Sequence, residues 1–270
     1  MKTTVKYFQP LLVLGLIFVL LTGCQSQTTA SPAESALPTS QKMATVPASS
    51  TIAPESTSGQ ELISADLLLD PALAQDADSL KICQDLYEGL VRLDANGKPA
   101  AGLAESWVIS DDQLDYIFTL RTGMTFSDGT PITPDVVVAN FNRWFDPQNA
   151  LHKGDFSAWK TVFLGFLGEK DSNDLPISPV DGIQKVDQDT VLVHLNRPMP
   201  EMLASLAQPA FAILNSDALA GGTYGSKEST IISSGLYVVK AWTDEGLQLG
   251  PNAKYWGEAP QAELNFGWNK

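Results

Sequence analysis

The sequence predicts an α/β fold with mixed sheets, and three local patterns support this. Residues 114–121 alternate between apolar and polar side chains, which is typical of a strand with one buried face. Residues 133–135 read Thr-Pro-Asp, a strong helix start with a hydroxyl cap, a proline and an acid. The short strand patterns at 183–186 and 190–195 enclose a polar turn and predict a β-hairpin. Helices and strands therefore alternate along the chain.

The other elements follow in chain order. We expect a strand at 62–69, a helix from about 79 that ends on Gly89, a turn at 94–97, a helix from 134 to about 145, a helix after Pro200, a strand at 211–214, a hairpin of 236–242 with 247–249, and a final strand. The segment 148–180 is long and irregular, and it contains Trp159, Phe163 and Phe166. Two interpretations of these aromatic residues stay open, a local core or a platform for a ligand.

The first 24 residues carry the pattern of an export signal. Lys2 and Lys6 precede an apolar run at 11–21, which is shorter than the roughly 20 residues that span a bilayer. The sequence Leu-Thr-Gly-Cys at 21–24 resembles the bacterial lipobox, in which the signal is cleaved before the cysteine and a diacylglycerol is attached to it. We therefore expect a chain anchored by lipid on Cys24, outside the cytoplasm, in the periplasm or on the outer face of the cell membrane.

The composition argues against nucleic-acid binding and indicates a disordered segment before the folded part. Without residues 1–23 the chain keeps 15 of its 17 basic residues against 31 acidic ones, a net charge near −16, which argues against binding nucleic acid. Residues 24–60 are rich in Ser, Thr and Pro, and they predict a disordered tether between membrane and domain. Cys83, the only other cysteine, falls on the apolar side of a predicted helix and is expected to pack in the core.

Catalytic and metal-binding motifs are missing from the sequence. His152 and His194 lie far apart, and there is no CxxC, HExxH, GxSxG or phosphate-binding glycine pattern. A glycosidase needs only two carboxylates, so Asp111, Asp112 and Asp128 stay open as candidates, although each lies in a predicted turn. The pattern indicates a protein that binds without covalent chemistry, with no cofactor and no metal.

Seven blocks in order carry a resemblance to a known family. They read LDPALAQDADSLKICQDLYEGL, GLAESW, a strand ending in LR, FSDGTPITPDVV, FNRWFDP, SGLYVVKAW and NAKYWG, and they span residues 69–257. The chain resembles extracellular solute-binding protein family 5, whose members deliver oligopeptides, dipeptides or nickel complexes to ABC importers. The resemblance implies a lobe like those of type II periplasmic binding proteins, with an inserted α/β subdomain, and a monomer that is not an enzyme and that works with the permease subunits of an importer.

The resemblance also implies a set of site residues. In this family the ligand lies between two lobes that close by a hinge. Gln75, Asp76 and Ala77 correspond to a segment whose backbone pairs with a bound peptide as an added strand, although they could merely connect a strand to a helix. Two further segments are implied to reach the ligand, and they consist of Leu151 and His152, and of Ser233, Ser234 and Gly235.

Length is where the chain departs from the family pattern. Family members are about twice as long, so the resemblance implies that the second lobe is absent and that the chain is a truncated or fragmentary copy. We expect the first lobe at 61–87 and 187–270, with the inserted subdomain at 88–186. A surface lipoprotein for adhesion or assembly and an extracellular hydrolase remain as alternatives, and among solutes peptides are favoured over nickel complexes or oligosaccharides.

Overall fold

A computed structural model describes residues 60–269 of the chain. The predicted export signal, the lipid site at Cys24 and almost all of the predicted tether lie outside these residues. Nothing in the structure therefore bears on those three predictions. In the part that the structure describes, no helix is both long enough and apolar enough to cross a bilayer.

The described residues form ten strands, five α-helices and one 3₁₀ turn. The strands are β1 (Glu61–Ile63), β2 (Val91–Leu93), β3 (Pro99–Ala101), β4 (Ala104–Ile109), β5 (Asp115–Leu120), β6 (Val180–Lys185), β7 (Thr190–Leu195), β8 (Tyr237–Trp242), β9 (Gly246–Pro251) and β10 (Leu264–Trp268). The helices are α1 (Ala77–Leu86), α2 (Pro134–Phe145), α3 (Ser157–Phe163), α4 (Met202–Leu206) and α5 (Ser216–Leu219), and the 3₁₀ turn is Pro209–Phe211.

Two four-stranded sheets and one ribbon organise these elements. The first sheet has the order β1-β10-β9-β8, in which β1 runs parallel to β10 and the other pairs are antiparallel. The second sheet has the order β4-β5-β7-β6 and is antiparallel throughout. Strands β2 and β3 form a separate antiparallel ribbon. The prediction of an α/β fold with mixed sheets is confirmed.

The elements with strong local signals occur where the sequence predicts them. In β5 the buried side chains of Tyr116, Phe118 and Leu120 alternate with more exposed ones. The Thr133 hydroxyl accepts a hydrogen bond from the amide of Val136 at 3.4 Å and caps α2. The predicted hairpins are the antiparallel pairs β6–β7 and β8–β9.

The predicted strand at 62–69 is wrong beyond Ile63, because its backbone donors find partners in helix α1 instead. The amide of Ser64 donates to Asp78 Oδ2 at 2.8 Å, and the amide of Leu68 donates to Ser79 Oγ at 2.9 Å. Residues 64–69 therefore run alongside the first turn of α1 as an irregular segment.

The predicted helix end at Gly89 is also wrong. Helix α1 ends at Leu86, whose carbonyl accepts the amide of Gly235 at 2.8 Å, and Tyr87 is already extended. Gly89 instead makes a single β-bridge with Ala212. The predicted strand at 211–214 reduces to this bridge after the 3₁₀ turn. In both cases a distant segment sets the local conformation.

The aromatic residues of the irregular segment 148–180 belong to the core. Helix α3 forms within this segment, and its Trp159 and Phe163 are 1% and 0% exposed. The Trp159 ring lies 4.3–6.4 Å, between centroids, from the rings of five other aromatic residues, which are Phe141, Trp144, Phe145, Phe163 and Phe211. The two helices α2 and α3 thus close one side of a single hydrophobic cluster, and Phe166 packs against it half-buried.

Candidate ligand-binding site

The structure divides the eight predicted ligand residues between the two ends of helix α1. Gln75, Asp76 and Ala77 form its N-terminal end, and residues 233–235 contact its C-terminal end, about 15 Å away for a ten-residue helix. The loop with Leu151 and His152 belongs to the first group. It continues into α3, where Ser157 Oγ lies 3.4 Å from Gln75 Nε2.

At the N-terminal end, the backbone of residues 75–77 is exposed and has free polar groups. Asp76 is extended, with φ −89° and ψ 154°, and its carboxylate accepts the amide of Ser79 at 2.8 Å, which caps α1. Within residues 60–269, the amides of Gln75, Asp76 and Ala77 and the carbonyl of Gln75 have no hydrogen-bond partner. These groups are therefore unpaired and free to hydrogen-bond to an incoming chain.

A buried ion pair holds the loop that leads to these residues. The guanidinium of Arg143, on α2, makes a two-point contact with the carboxylate of Asp70, and both side chains are at most 3% exposed. The Asp70 carbonyl accepts the amides of Leu73 and Ala74 at 3.0 and 2.8 Å, which fixes the turn before Gln75. Burial raises the pKa of Asp70, and the charge of Arg143 opposes this rise.

The same arginine also anchors the second predicted segment. His152 Nδ1 lies 2.7 Å from the backbone carbonyl of Arg143, so that nitrogen carries the proton and donates. The imidazole stacks on Phe156 at 4.4 Å between centroids and meets the ring edge of Phe166 at 5.2 Å. Arg143 therefore positions the loops at 70–77 and 151–157 relative to each other.

At the C-terminal end of α1 the predicted serines are buried. Ser233 and Ser234 are 0% and 2% exposed. Ser234 Oγ donates to the carbonyl of Ile213 at 2.9 Å and accepts the amide of Glu88 at 3.1 Å. A Cβ on Gly235 would lie 2.7 Å from the backbone nitrogen of Tyr87, so glycine is required by the close approach of two backbones. Gly235 lines a cavity.

That cavity has a volume of about 460 Å³ and lies beside the end of α1. Its polar lining comes from Gln84, Glu88, Arg92, Gln208 and Tyr255. The Tyr255 hydroxyl donates to Glu88 Oε2 at 2.6 Å. Burial raises the pKa of Glu88, opposed first by this hydrogen bond, and burial together with the Glu88 carboxylate raises the pKa of Tyr255.

Sequence reasoning did not select Glu88 or Tyr255 as functional residues. Both lie inside blocks that carry the resemblance, LYEGL and NAKYWG, yet they are 167 positions apart. No local pattern pairs residues at that distance. The blocks themselves were the signal that could have pointed to them.

Two of the three open carboxylate candidates accept hydrogen bonds within turns, and Asp111 lies in the same turn as Asp112. Asp112 Oδ1 accepts the hydroxyl of Ser110 at 2.5 Å and the amide of Leu114 at 3.2 Å. Asp128 Oδ1 accepts the amide of Thr130 at 2.9 Å. Among residues 60–269 no cluster of three His, Cys, Asp or Glu side chains is placed to hold a metal ion. The arrangement at α1 offers hydrogen-bond donors and shape, which serve binding.

Comparisons with known proteins agree with this description. The family profile described as bacterial extracellular solute-binding proteins, family 5 Middle, matches residues 98–264. The periplasmic murein peptide-binding protein MppA and the periplasmic oligopeptide-binding protein OppA, both of Escherichia coli K12, are each 30% identical over 193 residues. Those residues cover 71% of this chain and 35% of each relative. The chain therefore spans about a third of the length of these curated relatives.

Solved structures show the same fold. The unliganded open form of MppA superposes with a TM-score of 0.61 at 28% identity, covering 78% of this chain and 43% of that one. Peptide-bound OppA of Listeria monocytogenes superposes with a TM-score of 0.64 at 25% identity, covering 78% and 41%. Proteins of this family bind solutes and are not enzymes, in agreement with the prediction from the sequence. The chain belongs to the bacterial extracellular solute-binding proteins of family 5.

Proposed function

We propose that this chain captures peptides, or similar solutes, outside the cytoplasm for an ABC importer, held at the membrane by lipid on Cys24. The single observation that carries the proposal is the exposed backbone of residues 75–77, whose three amides and one carbonyl have no partner within residues 60–269. Two relatives named for peptide binding, MppA and OppA, support peptide as the solute. The chain would act as a monomer that presents its solute to permease subunits.

The proposed mode of binding is the addition of a peptide strand to this backbone. An extended peptide gains affinity from main-chain hydrogen bonds, which any sequence can supply, and specificity from pockets for its side chains. Asp76 is already extended. On one side lies the loop of Leu151 and His152, fixed through Arg143, so the donors are preorganised before the ligand arrives.

Replacing Ala77 by Pro should abolish peptide binding without loss of stability. Ala77 is the first residue of α1, a position where proline is favoured, and the extended Asp76 before it tolerates a following proline. The change removes one unpaired amide. Native mass spectrometry with a mixture of tri- to hexapeptides at millimolar concentration is expected to show 1:1 complexes for the natural chain and none for Ala77→Pro.

The matched control is Ala77→Ser, which keeps the amide and should keep the complexes. Melting temperatures of both variants report on the fold. Complexes that persist in Ala77→Pro, or that are missing from the natural chain at every peptide length, would refute strand addition at this site.

Lipid attachment has its own test, because the chain has only two cysteines. In a bacterial host fed an alkyne fatty acid, the natural chain should become labelled and partition with the membrane. Cys24→Ala should remove the label, whereas Cys83→Ala should retain it because Cys83 is buried. Equal labelling of the natural chain and Cys24→Ala would contradict the proposed anchor.

The division into a lobe and an inserted subdomain stays a proposal, with one adjustment. Strand β7 lies beyond the predicted boundary at 187, yet it pairs with β5 and β6 of the second sheet. We therefore propose that the inserted subdomain extends to the end of β7, so that one sheet is not split between two units.

A further inference from the structure

A second cavity, of about 340 Å³, brings two cationic side chains together in a strongly acidic chain. Arg121, which follows β5, and Lys254 and Trp256, near the C-terminal end, line it together with Thr122 and the acidic Glu105. The chain carries a formal net charge of −14, whereas the lining of this cavity holds two cations and one acid. It is separate from the exposed backbone of residues 75–77.

Arg121 is held in place with most of its donors unused. Its Nε donates to the carbonyl of Gly102 at 2.9 Å, and its guanidinium lies 3.9 Å from the ring centroid of Trp256. Within the described part of the chain, neither terminal nitrogen of the guanidinium has a hydrogen-bond partner or an acidic partner within 4 Å. Four N–H donors are therefore preorganised by stacking and by one hydrogen bond.

Lys254 differs from most lysines of the chain. The structure describes nine lysines, and six of them pair with a carboxylate, namely Lys81, Lys160, Lys170, Lys185, Lys227 and Lys240. The ammonium of Lys254 makes no such pair within residues 60–269. It lies 2.7 Å from where a Cβ on Gly129 would be, against the turn 127–130. Its charge is left available to the cavity.

The nearby carboxylates do not neutralise both cations. Glu105 lines the cavity without an ion pair to a residue that the structure describes. Glu88 accepts the Tyr255 hydroxyl and makes no ion pair within 4 Å with a residue that the structure describes, although the charge of Arg121 is among the influences that oppose its raised pKa. The indole N–H of Trp256 is buried near Glu88 and makes no hydrogen bond of normal geometry with it.

We propose that this cavity binds an oxyanion, a carboxylate or a phosphate group, between the Arg121 guanidinium and the Lys254 ammonium. A guanidinium fork matches two oxygens of either group, and stacking on Trp256 lowers the cost of ordering it. The proposal concerns a site other than residues 75–77, and small anions suffice to test it. Its outcome is therefore independent of peptide capture by the chain.

The test is a titration of the full chain with acetate and, separately, with phosphate, at ionic strength held constant with sodium chloride. The reporter is the indole N–H resonance of Trp256, assigned from a Trp256→Phe variant. We expect a saturable shift with half-saturation in the millimolar range for at least one of the two anions. Tighter binding of acetate would indicate a solute that carries a carboxylate. Tighter binding of phosphate would indicate a phosphorylated solute.

Variants make the result specific. Arg121→Gln should lower the affinity for the more tightly bound anion by about 10-fold, because charge-assisted hydrogen bonds are lost. Lys254→Gln, an exposed change that leaves the fold intact, should weaken it by about 3-fold. Lys98→Gln, an exposed lysine in the β2–β3 turn, is the control and should change nothing. Shifts that are linear in anion concentration, or unchanged in Lys254→Gln and Arg121→Gln alike, would overturn the proposal.

Discussion

Replacing Arg143 by Met is expected to lower the free energy of unfolding by about 3–5 kcal/mol at pH 7, because it leaves the carboxylate of Asp70 buried without a partner. Both side chains of this ion pair are at most 3% exposed, so water cannot replace the lost guanidinium. Urea denaturation followed by circular dichroism measures the change. The exposed pair of Lys227 and Asp244 supplies the control, since Lys227→Met should cost less than about 1 kcal/mol.

The pH dependence of this loss has a defined sign. Burial already raises the pKa of Asp70, and removal of Arg143 takes away the main influence that lowers it. A carboxyl group whose folded pKa exceeds its unfolded value favours the folded state at low pH, and this stability is lost as pH rises through the folded pKa. The deficit of Arg143→Met should therefore be smaller at pH 4 than at pH 8. An equal deficit at both pH values would contradict this explanation.

A second variant separates the ion pair from simple packing. In the double variant Asp70→Asn with Arg143→Met, no buried charge remains, so part of the stability lost in Arg143→Met should return. A loss below about 1 kcal/mol for Arg143→Met would show that the pair contributes little.

Replacing Trp159 by Ala is expected to cost about 3–5 kcal/mol, because it removes a fully buried indole from the centre of an aromatic cluster. The indole N–H also loses its hydrogen bond to the carbonyl of Gly165, at 3.0 Å. Surrounding rings on α2 and in the 3₁₀ turn cannot collapse fully into the space. Chemical denaturation again measures the change.

Leu175→Ala is the control for this prediction. Leu175 is 60% exposed, so its replacement should lower the free energy of unfolding by less than about 0.5 kcal/mol. If Trp159 were instead a platform for the ligand, its removal would weaken binding and leave stability almost unchanged. That outcome would contradict the place of Trp159 in the core.

Elements with a complete local signal could be predicted from the sequence. The cap, proline and acid at the start of α2 lie within three residues, and the alternation in β5 needs no distant partner to be recognised. The segment 64–69 and the end of α1 could not be predicted in the same way. Their backbone groups bond to Asp78, Ser79 and Gly235, so tertiary contacts override local preference there.

The candidate site shows a similar division. The resemblance locates residues 75–77 because they belong to one continuous block, and the structure adds that their amides lack partners within the described chain. The resemblance does not indicate that Ser233 and Ser234 are buried, or that the Tyr255 hydroxyl donates to Glu88 from far along the sequence. Burial and pairing across more than a hundred residues depend on the assembled fold.

The most direct test of the central claim is amide hydrogen exchange at Gln75, Asp76 and Ala77, measured by NMR with and without saturating peptide. These amides are exposed and make no hydrogen bond within residues 60–269, so they should exchange rapidly in the free chain. Strand addition predicts that exchange slows by at least about 10-fold for one or more of them when peptide is bound. Unchanged exchange at all three, with protection confined to residues around Gly235 and Tyr255, would contradict the account.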